Sequence, residues 1–321
     1  MKDRMPTLAP RTGLEYLGIM HSIPPYPEET PLTLEHASEL QPYLLDNRHG
    51  VSEFSMASLL PFTKKRHYSV SSYTDPEGKR AFMIFGLQWT DGKEERFAML
   101  PSGYPGKELL ANVLSRVHEV NTIAEDSADS WKIALRKDNL PFTCEEDRDN
   151  ADYLYDRRSL VDLVGQSLHK KLAHALHFAE DHPDRILVPS HLAKQEDMVA
   201  VLDSWAEGRD LVEDYQATLL AITHQKELSL KGVVLYTGNT PVAFTLGEED
   251  GPSRFIIHIE KAIGSYRGVY QYINRAFASE LPERIAEINR EQDLGIPGLR
   301  QAKMTYKPSR LLMKYRIRRA V

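Results

Sequence analysis

Residues 263–268, Ile263-Gly264-Ser265-Tyr266-Arg267-Gly268, have the composition of a strand-to-helix corner that binds phosphate. Gly264 and Gly268 free the backbone for close approach, a helix start offers amide N–H groups and the positive end of its dipole, and Arg267 adds a charge-assisted contact. An ordinary turn with a solvated arginine has the same letters. Glu260 ends the strand before this corner, beside any donor held there. It would serve as a general base if desolvation raised its pKa, and pairing with Lys261 or Arg254 is the alternative. Tyr306 falls in the last turn of a helix bracketed by Pro297 and Pro308, where its hydroxyl is either an acid for a leaving thiolate or alkoxide or a packed ring bonded to a carbonyl.

Other groups carry less chemistry. Cys144 lies in the polar run Thr143-Cys144-Glu145-Glu146-Asp147 with no base in view, so it reads as a loop or partly buried thiol. His169, His174 and His177 share one helical segment, but a spacing of five and then three residues puts only the last two on one face, too few for a metal. From Arg300 onward eight basic residues (Arg300, Lys303, Lys307, Arg310, Lys314, Arg316, Arg318 and Arg319) stand without an acidic one. Strand periodicity sends Lys314, Arg316 and Arg318 to one face, which would meet tRNA, a nucleotide or an anionic headgroup, or be balanced by acidic neighbours.

The elements that position these residues occur twice. Strands are expected at His67–Tyr73, Arg80–Gln88 and Glu95–Leu100, joined by turns at Asp75-Pro76-Glu77-Gly78 and Asp91-Gly92. The loop Pro101–Gly106, a helix bearing Leu109, Leu110, Val113, Leu114 and Val117, and a strand near Trp131–Leu135 follow. After helices at Gln195–Glu207 and Asp210–Lys226, the same order returns as strands at Leu230–Tyr236, Pro241–Leu246 and Arg254–Glu260, the corner, a helix with Val269, Ile273 and Phe277, and a strand at Arg284–Asn289. This is an internal duplication. A helix and strand end the chain. Thr33 caps a helix through Leu40, and one connector helix carries Leu160, Leu163, Val164, Leu168, Leu172 and Leu176 on its apolar side.

The 321 residues, 41% hydrophobic and 27% charged, suffice for two cores. The division expected is an extended Pro-rich segment 1–31, a first unit 32–150, the connector 151–183 and a second unit 184–321. A net charge of -6 disfavours general polyanion binding. One cysteine, no signal-peptide core and no long apolar run point to a cytoplasmic chain without stable membrane insertion.

Together, Asp152–Tyr155 through Leu163-Val164-Gly165 and His169-Lys170-Lys171, His258-Ile259-Glu260-Lys261-Ala262, Tyr270–Asn274 and Ile288–Arg300 resemble bacterial proteins related to the C-terminal domain of phosphatidylglycerol lysyltransferase. The resemblance implies an α/β (α+β) fold of two tandem N-acetyltransferase-like domains, each a mixed, mostly antiparallel sheet flanked by helices. Leu172-Ala173 stand where that pattern has an Arg-Asn pair. The expected function is transfer of an acyl or aminoacyl group to an amine or hydroxyl. The donor would be coenzyme A thioester or aminoacyl-tRNA rather than a tightly bound cofactor, with Glu260 as base, Tyr306 as acid, 263–268 on the donor, His169, Lys170 and Asn289 on substrate, and tRNA at the basic C-terminal face. The alternative is a non-catalytic binding protein that keeps this fold.

Overall fold

The computed structural model describes residues 23–90, 92–209 and 212–320, so most of the segment 1–31 lies outside the described residues. The first half contributes β1 (Thr30–Pro31), β2 (Ser69–Thr74), β3 (Arg80–Thr90), β4 (Lys93–Met99), β5 (Glu119–Ala124) and β6 (Phe142–Glu146). The remainder contributes β7 (Asp152–Asp156), β8 (Arg185–Pro189), β9 (Lys231–Thr237), β10 (Thr240–Asp250), β11 (Arg254–Ala262), β12 (Glu287–Asn289), β13 (Arg310–Leu312) and β14 (Lys314–Arg319).

Two seven-stranded sheets result, ordered β1-β2-β3-β4-β5-β14-β6 and β8-β9-β10-β11-β12-β7-β13. In each, a meander leads to one parallel pair, β4 with β5 and β11 with β12, joined through a crossover helix, Lys107–Leu114 or Val269–Glu280. The two halves therefore share one topology, as duplication requires. Alternation along the strands builds the layers: Phe82 and Ile84 of β3 enter one core, while Ala81, Met83 and Phe85 enter another.

The sixth place in each sheet is filled from elsewhere in the chain. β7 leaves the first half and enters the second sheet between β12 and β13, whereas β14 follows β13 and returns to the first sheet between β5 and β6. Sheet membership thus crosses the boundaries 32–150 and 184–321. The terminal strand read as one element over 311–319 divides at Met313 between the two sheets.

Other expectations are corrected too. The region Trp131–Leu135 is part of the helix Ala128–Lys137, whose buried Ala128, Trp131 and Leu135 repeat at helical spacing; the strand expected there is β5, upstream. The single connector helix is two, Arg157–Asp162 and His169–Asp181, because Leu163 and Gly165 take left-handed backbone angles (φ 49° and 95°) between them. Residues 210 and 211 lie outside the described residues, and the helix after them spans Val212–Thr223.

Candidate functional site

β11 and β12 pair only over Arg254–Ile256 and Glu287–Asn289. Beyond that, β11 runs on through Ile257–Ala262 while the chain after Asn289 turns toward β7, with Arg290 N donating to the Tyr153 carbonyl. The two strands part there, and the side chains of His258, Glu260, Arg290 and Glu291 meet across the gap. In the first sheet the equivalent pairing, Phe97–Met99 with Glu119–Asn121, reaches the last residue of β4, so no comparable free edge forms there.

A bulge sets what β11 presents to the gap. Leu246 and Gly247 are consecutive on β10 but oppose Ile259 and Ile257, leaving His258 as the extra residue. The side-chain alternation flips at that point. Ile257, Glu260 and Ala262 consequently share the face of the Val269–Glu280 helix, where Glu260 Oε2 accepts from Asn274 Nδ2 at 3.3 Å. Glu260 Oε1 accepts from Arg290 Nη2 at 3.2 Å. The Arg290 guanidinium lies 5.1 Å from the Tyr306 ring centre and 5.8 Å from that of Tyr155, and Lys171 Nζ stands 4.5 Å from the Tyr306 ring centre. Tyr306 lies two residues past the end of its helix and is buried, which pushes its phenol up to about 12. Glu260 and Tyr306, 46 positions apart in the chain, thus meet around Arg290.

The loop carrying Arg290 and Glu291 is fixed from three directions. Asn289 donates to Asp152 Oδ2 (3.0 Å) and accepts from Glu291 N (2.7 Å); Lys303 Nζ donates to the carbonyls of Arg290, Glu291 (3.0 Å) and Gln292 (2.7 Å). Asp293, fully buried, accepts from Arg300, Arg148 and Tyr153. A second rung crosses the gap between the strands: His258 Nδ1 lies 2.7 Å from Glu291 Oε1, while its Nε2 lies 3.0 Å from Glu248, itself bonded to Arg48 of the first half at 2.9 Å.

Burial works against a charged His258, but its bonds to Glu248 and Glu291 outweigh this and push its pKa up to about 9. Relative to an unfolded histidine near 6.5, this contribution to stability is fully present below pH 6.5 and lost as pH rises through 9. On the order of 3 kcal/mol of stability should therefore disappear between pH 6 and 10 in the native chain and not in His258→Gln. Urea midpoints of both proteins across that range check it, and parallel pH profiles would contradict it.

At the corner, Gly264, Ser265 and Arg267 are exposed, and Arg267 makes no ion pair among the described residues. A surface hollow of about 420 Å³ lies there, bounded by Asp181, His182, Ser265, Tyr266 and Arg267. Ile263 N is used by Val242, and Tyr266 closes a turn onto Ile263. Gly268 has φ 82°, and a Cβ there would sit 2.1 Å from the His174 carbonyl, so only glycine lets the two helices meet. Gly268→Ala should cost about 1–3 kcal/mol in thermal or urea unfolding; a loss under 0.5 kcal/mol would contradict the packing.

Three sequence expectations change. Asn289 is fully buried with its amide spent on Asp152, Gly50 and Glu291, so it positions the loop and offers substrate nothing. Lys170 and His169 are exposed, His169 being bonded to the Gln166 carbonyl, and it is Lys171 that enters the cluster. Most of the basic C-terminal face is ion-paired, with Lys307 and Arg319 exposed and outside any ion pair among the described residues. Lys314 meets Glu53 and Asp152, Arg316 meets Asp147, Arg318 meets Glu119, Arg310 meets Glu287, Arg300 meets Asp149 and Asp293, and Lys303 is spent on carbonyls. Burial raises the Cys144 thiol to about 11, which disfavours a nucleophilic thiolate. Arg290, Asn274, His258, Glu291 and Lys171 lie in the stretches that carry the resemblance but are not singled out there as site residues. The alternating charges of His258-x-Glu260 against Arg290-Glu291 were the available signal.

Residues 47–318 match the family described as phosphatidylglycerol lysyltransferase, C-terminal. A conserved protein of unknown function from Bacteroides thetaiotaomicron superposes with a TM-score of 0.74 at 25% identity, over 90% of this chain and 98% of that one. The C-terminal domain of an Agrobacterium fabrum protein named for lysylphosphatidylglycerol synthetase gives 0.53 at 12% identity, over 89% and 90%, a likeness of fold. An uncharacterised protein from Mycoplasmoides gallisepticum is 24% identical over 174 residues, 53% of this chain, which spans about half (56%) of the length of that curated relative. Among the described residues no helix is long and apolar enough to cross a membrane.

Proposed function

We propose, from the premise that this chain belongs to the phosphatidylglycerol lysyltransferase C-terminal family, that it transfers an activated acyl or aminoacyl group to an amine or hydroxyl in the cleft between β11 and β12. The observation that carries this reading is the free edge of β11 over Ile257–Ala262, present in the second sheet and not in the first, leading directly into the exposed corner 263–268.

In this reading the corner amides and Arg267 hold the donor's phosphates, and the free strand edge receives its acyl carbonyl. Glu260 takes the proton of the attacking nitrogen or oxygen as its bond to the carbonyl carbon forms. The carbon–sulfur bond of a thioester, or the carbon–oxygen bond of an aminoacyl ester, then breaks, and the departing atom takes the Tyr306 proton while Arg290 steadies the resulting phenolate. Alignment of the two reactants contributes most, up to about 7–11 kcal/mol in favourable cases.

Calorimetry with coenzyme A thioesters and with aminoacyl-tRNA tests the reading. One donor class should bind, at least tenfold more weakly to Arg267→Glu. Binding of neither would favour the non-catalytic alternative, which the occupation of Glu260 by Arg290 and Asn274 supports.

A further inference from the structure

Asn274 is 1% exposed, and its side-chain oxygen has no hydrogen-bond partner among the described residues. Its nitrogen donates to Glu260, which fixes the orientation of the amide, because the reverse would set an oxygen against a carboxylate. A buried amide oxygen without a donor is uncommon in folded proteins and calls for an explanation. Acceptors of positive charge cluster around this pair. The Glu260 carboxylate is adjacent, and the phenols of Tyr155, Tyr270 and Tyr306 all lie within its electrostatic reach. Arg290, flanked by two of those rings, is the resident cation, and it bonds one carboxylate oxygen while leaving the Asn274 oxygen unserved.

We infer that Glu260 and Asn274 form a subsite for a primary ammonium group, which displaces the Arg290 guanidinium from Glu260 and donates to both the carboxylate and the unpartnered amide oxygen. An ammonium carries three donors on one small centre, so it can serve the two acceptors at once, whereas the guanidinium's planar fork reaches only the carboxylate. The tyrosine faces favour a cation over a neutral group of the same shape. Arg290 therefore plugs the cleft until such a ligand arrives. This inference rests on the transferase reading only for the use made of the ammonium, which belongs either to an amine acceptor or to the α-amino group of an aminoacyl donor.

Binding is measured without any donor, by protein NMR titration with n-pentylamine against n-pentanol and with L-alaninamide against N-acetyl-L-alaninamide. At least tenfold preference for the charged member of a pair is expected; preference confined to pentylamine identifies an acceptor amine, and preference confined to alaninamide identifies the aminoacyl group. Arg290→Gln should tighten the preferred amine about fivefold or more, opposite to what loss of a merely structural arginine does. Asn274→Leu, which keeps the volume, should weaken it about tenfold, and Glu260→Gln should abolish the preference. Each variant is compared at a temperature where its unfolding curve shows it folded. No preference for the charged member in either pair, weaker binding in Arg290→Gln, or unchanged binding in Asn274→Leu would overturn the subsite. A chain that binds amines in this pattern yet transfers nothing from either donor keeps the subsite and loses the transferase. Transfer that is indifferent to these variants does the reverse.

Discussion

Replacing Asp152 with alanine lowers the unfolding free energy by about 3–5 kcal/mol, a large fraction of the stability of any domain. Asp152 is fully buried at the head of β7 and accepts from Lys314 Nζ (2.7 Å), Ser52 Oγ and N (2.9 Å each) and Asn289 Nδ2 (3.0 Å). Lys314, likewise buried, heads β14, so this one ion pair joins the two strands that cross between sheets. Removal of the carboxylate leaves the ammonium with Glu53 alone, strands Ser52 N, and takes one acceptor each from Ser52 Oγ and Asn289 Nδ2. The loss comes from the stranded charge rather than from the net value of the pair. The double variant Asp152→Leu with Lys314→Met should therefore recover most of it, since apolar groups of similar volume replace a buried pair at little cost. Urea denaturation of the three proteins decides the matter. A loss below 1 kcal/mol in Asp152→Ala, or a double variant less stable than the single one, would contradict this picture of the junction.

Glu260→Gln should reduce kcat/KM for transfer by about 10²–10⁴ with the donor's Kd changed less than threefold. The substitution preserves the shape of the side chain and one acceptor for Arg290 or Asn274, so the bulge, the helix contact and the corner should persist. What is lost is the site that receives a proton and the negative charge facing the cationic side of the cleft. Tyr306→Phe serves as comparison, because its ring packing against Lys171 and Arg290 survives while the proton donor is gone. Equal turnover in Glu260→Gln and the native chain would remove Glu260 from the chemistry.

Much of this was legible in the sequence because it is local. Period-two alternation and short turns reveal the meanders β2-β3-β4 and β9-β10-β11, and the repeated strand–loop–helix order exposes the duplication. The corner follows from its place at a strand end, and Glu260 from its place on that strand, which runs on to Ala262. The exchange of β7 and β14 left no local trace, since a strand's letters do not say which sheet it enters. Lys314 and Asp152, 162 positions apart, hold complementary charges whose pairing only the fold reveals. The bulge at His258 is similar. One extra residue reverses the faces, so strict alternation from Phe255 and Ile257 would place Glu260 on the opposite face, with Ile256, instead of with the Val269–Glu280 helix. Lys171 rather than Lys170 reaches Tyr306 because the helix restarts at His169 after the left-handed turn, which sets a rotation that a continuous helix would not have.

The most direct test of the cleft is amide hydrogen exchange on the intact chain with saturating donor, coenzyme A thioester in one arm and aminoacyl-tRNA in the other. Slowed exchange confined to residues 257–268 of the second half, in one arm, is the predicted result. Protection in the equivalent first-half segment around Met99–Gly106, or no protection in either arm, would contradict a donor site on the free edge of β11.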